Sequence, residues 1–335
     1  MNEINKLKSC RNTNIEILRL FLMIAILGWH IIIHGMGFNS MGGQMNIDKS
    51  LEIFFIALFA PATYCFMFIS GFYGLKLSLN KITLLELCLI LCSVLTFFLK
   101  YCLFDIFSVR SLVYSFIPVS TMKWWFMTCY MLLLLMSPIL DNGVKAISKK
   151  NFSFILISLI IYHVFSFLLL KDNAGSNFLG LLTMFLIGRY CYIYKFDIKK
   201  NKALFVFMLS WSLLFFLLYA STYFCKSLVF KILNYNTPLI MIMAIMAFYF
   251  VKNLKPIYSY RINKALKSTL FIYLISEGLG LPFYTRIAGL FIGNRIFLGI
   301  FVVLVYICIS LAVGQALLSF TAVLLKKLKI DRFKI

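Results

Sequence analysis

The chain has few charged residues, and very few of them are acidic. Charged residues make up only 13% of the 335 residues, and just 11 are Asp or Glu, whereas soluble domains carry about 25% charged residues. Hydrophobic residues reach 62%, which is more apolar surface than a soluble core can bury. A soluble globular fold is therefore excluded, and the lipid bilayer must be the solvent for most of the chain.

Several catalytic signatures are also missing from the sequence. It contains no Walker A motif, no G-x-G-x-x-G and no G-x-S-x-G, which argues against an ATP-driven pump and an α/β-hydrolase. No internal repeat is evident, so a transporter built from visible repeats is not supported. Three histidines, and nine cysteines without a C-x-x-C, predict neither a metal site nor a disulfide framework.

Long hydrophobic stretches dominate what remains. They predict an all-α polytopic membrane protein with a bundle of about ten transmembrane helices. We expect a single transmembrane domain over residues 1–335, in which the last span continues into a basic tail. The predicted spans are 14–35, 51–75, 83–104, 124–140, 152–170, 176–194, 203–224, 234–251, 268–290 and 296–325.

Basic residues are distributed unevenly over the predicted loops. Counted with the adjoining span ends, 23 of the 33 Lys and Arg residues fall on the side of the two termini and nine on the other side, and Arg19 lies within the first span. The positive-inside rule then places both termini in the cytoplasm of a cell-membrane protein. This topology, together with anionic membrane lipid, accounts for the net charge of +22. We expect no nucleic-acid partner, because the basic residues are spread over short loops.

Four ionisable side chains share one face of the first predicted span: Glu16, Arg19, His30 and His34. At about 100° per residue, the other three lie within about 60° of Arg19 around the helix. A charged group in the bilayer costs about 3 kcal/mol or more unless it faces a partner or water. The stripe therefore predicts a functional site. Alternatively, Glu16 and Arg19 mark the membrane edge and the histidines are packed polar residues.

The chemistry of this stripe indicates different roles along the helix. Arg19, near the cytoplasmic end, suits the binding of a phosphate-bearing donor. His30 lies about 16 Å further along the axis and suits general-base activation of an alcohol. Glu16, one turn before Arg19, is placed to hold the guanidinium. His34, one turn beyond His30, lies at an acceptor entrance or orients His30.

Five sequence blocks occur in order over nearly the whole chain. The first is R-N-T-N-I-E-I-L-R followed by His30, and the second is F-M-F-I-S-G-F-Y-G-L-K from Phe66. The others begin with K-W-W-F-M-T-C-Y at Lys123, F-L-I-G-R-Y at Phe185 and L-F-I-Y-L-I-S-E at Leu270. Together these blocks resemble the acyltransferase family 3 membrane proteins.

The resemblance implies transfer of an acyl group, usually acetyl, from cytoplasmic acyl-coenzyme A to a sugar hydroxyl. The implied acceptor is a surface or secreted polysaccharide or its lipid-linked precursor. The implied partners are this glycan, membrane lipid and proteins of polysaccharide biosynthesis. The Lys-, Asn-, Ile- and Phe-rich composition points weakly to a bacterial source.

For each of the other candidate residues in these blocks, the sequence allows two alternative roles. Arg189 is a second cation for coenzyme A or a positive-inside anchor. Ser70 is followed by a glycine, which allows the backbone to approach either a ligand or another helix closely. Trp125 and Tyr130 anchor the outer interface or stack on a sugar ring. His163 belongs to none of the blocks, and for it we favour an internal hydrogen bond.

The last block departs from the family pattern. Where the family has a histidine after Y-L-I, this chain has Ser276, with Glu277 next. A glutamate near mid-membrane needs a partner or a proton, and we expect Glu277 to orient His30 or to bind the acceptor. The sequence therefore predicts an acyltransferase in which His30, Glu16 and Glu277 serve catalysis. A polysaccharide exporter and an inactive family member are the alternatives.

Overall fold

The computed structural model describes residues 11–38, 47–169, 175–224, 226–293 and 295–327. No strand occurs among them, so the all-α prediction is confirmed. In the first half of the chain the helices are α1 (Thr13–His30), α2 (Ile47–Phe59), α3 (Ala62–Tyr73), α4 (Leu79–Phe104), α5 (Val109–Tyr114), α6 (Trp125–Ala146) and α7 (Lys149–Leu169). In the second half they are α8 (Phe178–Ile193), α9 (Lys200–Phe224), α10 (Lys226–Ile232), α11 (Pro238–Lys252), α12 (Tyr260–Ala265), α13 (Leu270–Leu279), α14 (Leu281–Ile292) and α15 (Ile296–Lys327).

Seven helical segments of the described chain are long and apolar enough to cross a membrane. Where the sequence predicts three further spans, the apolar helices α8, α11 and α14 have only 10–17 residues. The prediction of ten spans is therefore not confirmed. The basic tail after residue 327, the first ten residues and most of the loop after the first span lie outside the described residues.

The ninth predicted span, 268–290, is not one continuous helix. Gly280 separates α13 from α14 with a φ of +68°, a conformation that side chains other than glycine rarely adopt. Pro282 follows in the first turn of α14, where its missing N–H costs no helical hydrogen bond. Glu277 therefore lies in the last turn of α13 rather than in the middle of a long helix.

The chain divides into two compact units, and two of the five points at which it passes from one unit to the other fall within the α-helices α1 and α6. Unit 1 comprises the described parts of 1–29, 41–75 and 137–266. In it α3 packs against α8 and α11, while α9 packs against α2 and α11. A side-chain carbon on Gly71 would meet the backbone of Phe185, and one on Gly188 would lie 2.5 Å from the Phe68 oxygen. The two glycines therefore allow close contact between α3 and α8.

Unit 2 comprises the described parts of 30–40, 76–136 and 267–335. In it α13 packs against α4 and α15, and α14 packs against α15. After His30 the chain makes a π-helical turn, Ile31–Gly35, and α14 packs against this turn. A side-chain carbon on Gly35 would lie 2.5 Å from the carbonyl oxygen of Tyr284, so only glycine allows this approach.

Candidate active site

The start of α1 is tied to the 252–260 segment by hydrogen bonds. Thr13 donates its backbone N–H to the carbonyl of Ile257 at 2.8 Å, and its hydroxyl accepts from the N–H of Ser259 at 2.8 Å. The Asn14 side chain donates to the carbonyl of Lys255 at 2.9 Å. These bonds fix the first turn of α1, which carries Glu16 and leads to Arg19.

Glu16 lies between two arginines in unit 1. Its carboxylate accepts from Arg19 Nη1 at 3.0 and 3.3 Å, and the Nη1 of the exposed Arg11 lies 3.6 Å from Oε1. Glu16 is 6% exposed, and the Arg19 guanidinium lies 5.9 Å from the ring centre of Phe66. The predicted contact between Glu16 and Arg19 is therefore confirmed. Because one carboxylate faces two arginines, the group keeps a net positive charge.

Arg189 is also held by a carboxylate in unit 1. Its Nε lies 3.0 Å from Asp141 Oδ1, and only 7% of its side chain is exposed. The guanidinium lies 5.4 Å from the ring centre of Tyr192, and its Nη1 lies 2.9 Å from where a side-chain carbon on Gly74 would be. Sequence reasoning missed Asp141, which lies 18 residues after Lys123, the first residue of the third block.

His30, Glu277 and Tyr284 come together in unit 2. Nε2 of His30 lies 3.6 Å from Oε2 of Glu277, slightly beyond hydrogen-bond distance. The Tyr284 hydroxyl donates to the same oxygen at 2.9 Å, and its ring stacks on His30 with centres 5.4 Å apart and planes at 17°. Since catalytic hydrogen bonds are often long in ligand-free structures, this distance suits a carboxylate that orients a base.

His34 lies beside His30, within the π-helical turn that follows α1. The two rings stack with centres 5.5 Å apart and planes at 17°, and the Tyr284 ring is 6.4 Å from that of His34. His34 is exposed, whereas 14% of the His30 side chain is exposed. The sequence predicted a regular α-helix through His34, and the structure replaces its last turn with a π turn, a feature often found at functional sites.

Ser276, which stands where the family pattern has histidine, is buried beside Tyr284 and Tyr306. It is 1% exposed, and its hydroxyl donates to the carbonyl of Tyr273 in the same helix at 3.1 Å. Glu277, the following residue, instead supplies the polar contact to His30. The substitution of the family histidine therefore leaves a carboxylate beside the candidate base.

The other predicted acceptor-binding residues belong to both units, Ser70 to unit 1 and Trp125 and Tyr130 to unit 2. Ser70 is 5% exposed and donates its hydroxyl to the Phe66 carbonyl at 3.1 Å, which fits helix packing. Trp125 and Tyr130 are partly exposed in α6, and both rings lie near Phe126, with centres 6.2 and 6.4 Å away. Their role with a sugar stays a prediction.

His163 has the internal bond that the sequence analysis favoured. Its Nε2 lies 2.9 Å from the hydroxyl of Thr183, and Asn236 donates to its backbone carbonyl at 3.4 Å. The ring is fully buried. Within the described ranges, no group of three or more His, Cys, Asp and Glu residues could hold a metal ion.

Lys123 is a second polar residue whose environment the sequence did not reveal. It precedes α6, and its ammonium donates to the Ser93 carbonyl at 3.2 Å, to the Ser93 hydroxyl at 2.9 Å and to the Thr96 hydroxyl at 3.3 Å. Burial lowers the pKa of Lys123 from 10.5 to about 8, and nearby Lys100 adds to the effect. In the sequence, the basic residue at the start of the K-W-W-F block was the signal that could have indicated this polar site.

The helical fold, with a histidine beside a carboxylate and arginines held by carboxylates, fits an enzyme embedded in a membrane. A family model described as an acyltransferase domain matches residues 12–318, and the chain belongs to acyltransferase family 3. No protein of curated function and no solved structure matches the chain. Membership in this family decides between the predicted acyltransferase and the polysaccharide exporter in favour of the enzyme.

Proposed function

We propose that this membrane acyltransferase moves an acetyl group from acetyl-coenzyme A to a hydroxyl of a surface or secreted polysaccharide or its lipid-linked precursor. The observation that carries the proposal is the position of His30, 3.6 Å from the Glu277 carboxylate in a chain of this family. A histidine beside a carboxylate is suited to accept a proton from an alcohol and to carry the resulting charge.

In the proposed reaction, His30 transfers the proton and Glu277 stabilises the charge that forms on it. His30 takes the proton from the acceptor hydroxyl as the alcohol oxygen attacks the thioester carbonyl. When the tetrahedral intermediate collapses, the carbon–sulfur bond breaks and the imidazolium returns the proton to the departing thiolate. Glu277 stabilises the imidazolium during this interval because its negative charge lies within 4 Å of the ring.

The arginines of unit 1 are the proposed donor-binding groups. Arg19 has the more open side chain, 21% exposed, and its planar fork matches the geometry of a phosphate. Arg189 already has Asp141 as a partner, so its proposed role is weaker phosphate binding or support of the loop at Gly74. Coenzyme A carries several phosphate charges, which suits a cluster with net positive charge.

The test uses membranes that contain the full-length protein. They are supplied with acetyl-coenzyme A labelled in the acetyl group, together with the polysaccharide and lipid-linked glycan fractions of the source cells. We expect base-labile label in one of these glycan fractions, and none with membranes that lack the protein. Label that remains on coenzyme A or appears only as free acetate would contradict the proposal.

A further inference from the structure

Tyr284 connects the two groups of the candidate acid–base pair. Its hydroxyl donates to Glu277 Oε2 at 2.9 Å, and this oxygen is the one that faces His30 Nε2 at 3.6 Å. Its ring also stacks on the His30 ring with planes at 17°. One side chain thus contacts both the carboxylate and the imidazole.

Tyr284 is itself held in place from several sides. It is 2% exposed, and its backbone carbonyl lies against Gly35 at the end of the π turn. The break at Gly280 and the proline in the first turn of α14 set the direction in which α14 leaves α13. A residue so constrained can impose an orientation on the more exposed Glu277, whose side chain is 32% exposed.

A carboxylate oxygen has lone pairs for more than one donor. With Tyr284 occupying one position on Oε2, the remaining direction is open to the N–H of His30. In neutral histidine only one ring nitrogen carries the proton, and the bond made by that nitrogen selects the tautomer. A carboxylate fixed opposite Nε2 favours the proton on Nε2 and leaves Nδ1, which is buried, as the nitrogen that can accept a proton.

We propose that Tyr284 is a positioning residue, whose hydroxyl fixes the Glu277 carboxylate so that His30 carries its proton on Nε2 and acts as a base through its other ring nitrogen. The inference rests on the proposed function, in which His30 is the base. It extends that function by assigning the tautomer and the residue that sets it.

The test reads the tautomer directly by NMR of full-length protein labelled with ¹⁵N-histidine in lipid nanodiscs. The chain contains only three histidines, so His34→Gln and His163→Gln assign every signal. We expect neutral wild-type His30 to be mainly protonated on Nε2, and Tyr284→Phe, which keeps the ring but removes the hydroxyl, to change the tautomer ratio by about tenfold or more. In the Glu277→Gln background, Tyr284→Phe should cause no further change.

Tyr249→Phe is the matched control. Tyr249 is buried and donates its hydroxyl to the Phe196 carbonyl at 2.8 Å, so this variant also removes a buried tyrosine hydroxyl, but in unit 1. It should leave the His30 signals unchanged. If Tyr284→Phe fails to fold, 3-fluorotyrosine at position 284 keeps the size and makes the hydroxyl a stronger donor, and the His30 signals must then move.

Kinetics supply the second readout. With acetyl-coenzyme A and the labelled glycan fraction, Tyr284→Phe should lower kcat by about ten- to a hundredfold, the usual effect of losing a hydrogen bond to a charged group. KM for acetyl-coenzyme A should stay within about twofold. Unchanged His30 signals in Tyr284→Phe, or wild-type His30 protonated mainly on the other nitrogen, would overturn the inference. Both NMR results are obtained whether or not glycan transfer is detected.

Discussion

The carboxylates of the two units are paired in different ways. In unit 1, Glu16 and Asp141 lie 3.0 Å from the nitrogens of arginines, which stay charged at all physiological pH values. In unit 2, Glu277 faces a histidine at 3.6 Å and is held by a tyrosine. An arginine in such a pair keeps its charge, whereas a histidine can gain and lose a proton. The comparison supports the proposed roles, in which unit 1 binds the charged donor and unit 2 transfers the proton.

Removing the proton-transferring group should have the largest effect. We expect His30→Ala to lower acyl transfer about 10²- to 10⁴-fold, because a general base is lost. The readout is the rate of label transfer to the glycan fraction at saturating acetyl-coenzyme A. The control is His163→Gln, since His163 bonds to Thr183 in unit 1 and should affect stability more than rate. Normal acylation by well-folded His30→Ala would reject the role of the base.

Changing the fixed charges should affect donor affinity rather than chemistry. We expect Arg19→Ala to weaken binding of acetyl-coenzyme A by about 1.5–3 kcal/mol, and Arg19→Lys to weaken it less, since lysine keeps the charge but loses the fork. Equilibrium binding to purified protein measures both. Arg189→Ala should weaken donor binding too, and should also lower thermal stability because Asp141 is left unpaired.

The exposed Arg110, which donates to the Tyr114 hydroxyl at 2.9 Å, gives a control. Arg110→Ala should leave donor affinity unchanged. Wild-type affinity in both Arg19→Ala and Arg189→Ala would mean that these arginines are topological anchors.

A smaller effect is expected at the glycine next to Arg189. Gly74 has a φ of +79°, and an added side-chain carbon would lie 2.9 Å from Arg189 Nη1. Gly74→Ala should therefore destabilise the protein by about 1–3 kcal/mol, seen as a lower melting temperature. In Gly143→Ala, where nothing lies within 4 Å of the added carbon, helix propensity should leave stability equal or slightly higher. Equal melting temperatures in the two variants would contradict this account of Gly74.

A separate expected effect is a pH dependence of stability that arises in unit 2. Because burial lowers the pKa of Lys123 from 10.5 to about 8, the folded protein loses this proton before the unfolded chain does. The unfolded state then binds more protons between these values, so this residue makes stability rise as pH increases from about 8 to 10.5.

Melting temperatures of wild type and Lys123→Met, measured across this pH range, isolate that contribution. The difference between the two proteins should shift in favour of the wild type as pH rises. A constant difference would show that the ammonium of Lys123 is as well solvated in the folded protein as in the unfolded chain.

Local sequence spacing was enough to predict some of these contacts. Glu16 and Arg19 are three residues apart on one helix, so helical geometry alone brings them together. The all-α class follows equally directly from the long apolar stretches. The need of a mid-membrane carboxylate for a polar partner predicted two alternatives for Glu277, a role beside His30 or in acceptor binding, and the structure places it 3.6 Å from His30.

Contacts set by chain breaks and distant packing could not be read in this way. The Arg189–Asp141 pair joins residues far apart in sequence, and nothing in either local pattern specifies the other. Tyr284 reaches Glu277 because Gly280 ends α13 and redirects the chain, whereas the apolar run suggested one continuous span. Hydropathy likewise does not register breaks or the short lengths of α8 and α11.

The most direct test of the account measures donor binding and transfer rate together in Arg19→Ala and His30→Ala. Equilibrium binding of acetyl-coenzyme A is compared with the rate of label transfer to glycan at saturating donor. The account predicts that Arg19→Ala weakens binding and nearly preserves the saturated rate, while His30→Ala preserves binding and loses the rate. Loss of donor binding in a folded His30→Ala variant, with wild-type binding in Arg19→Ala, would contradict it.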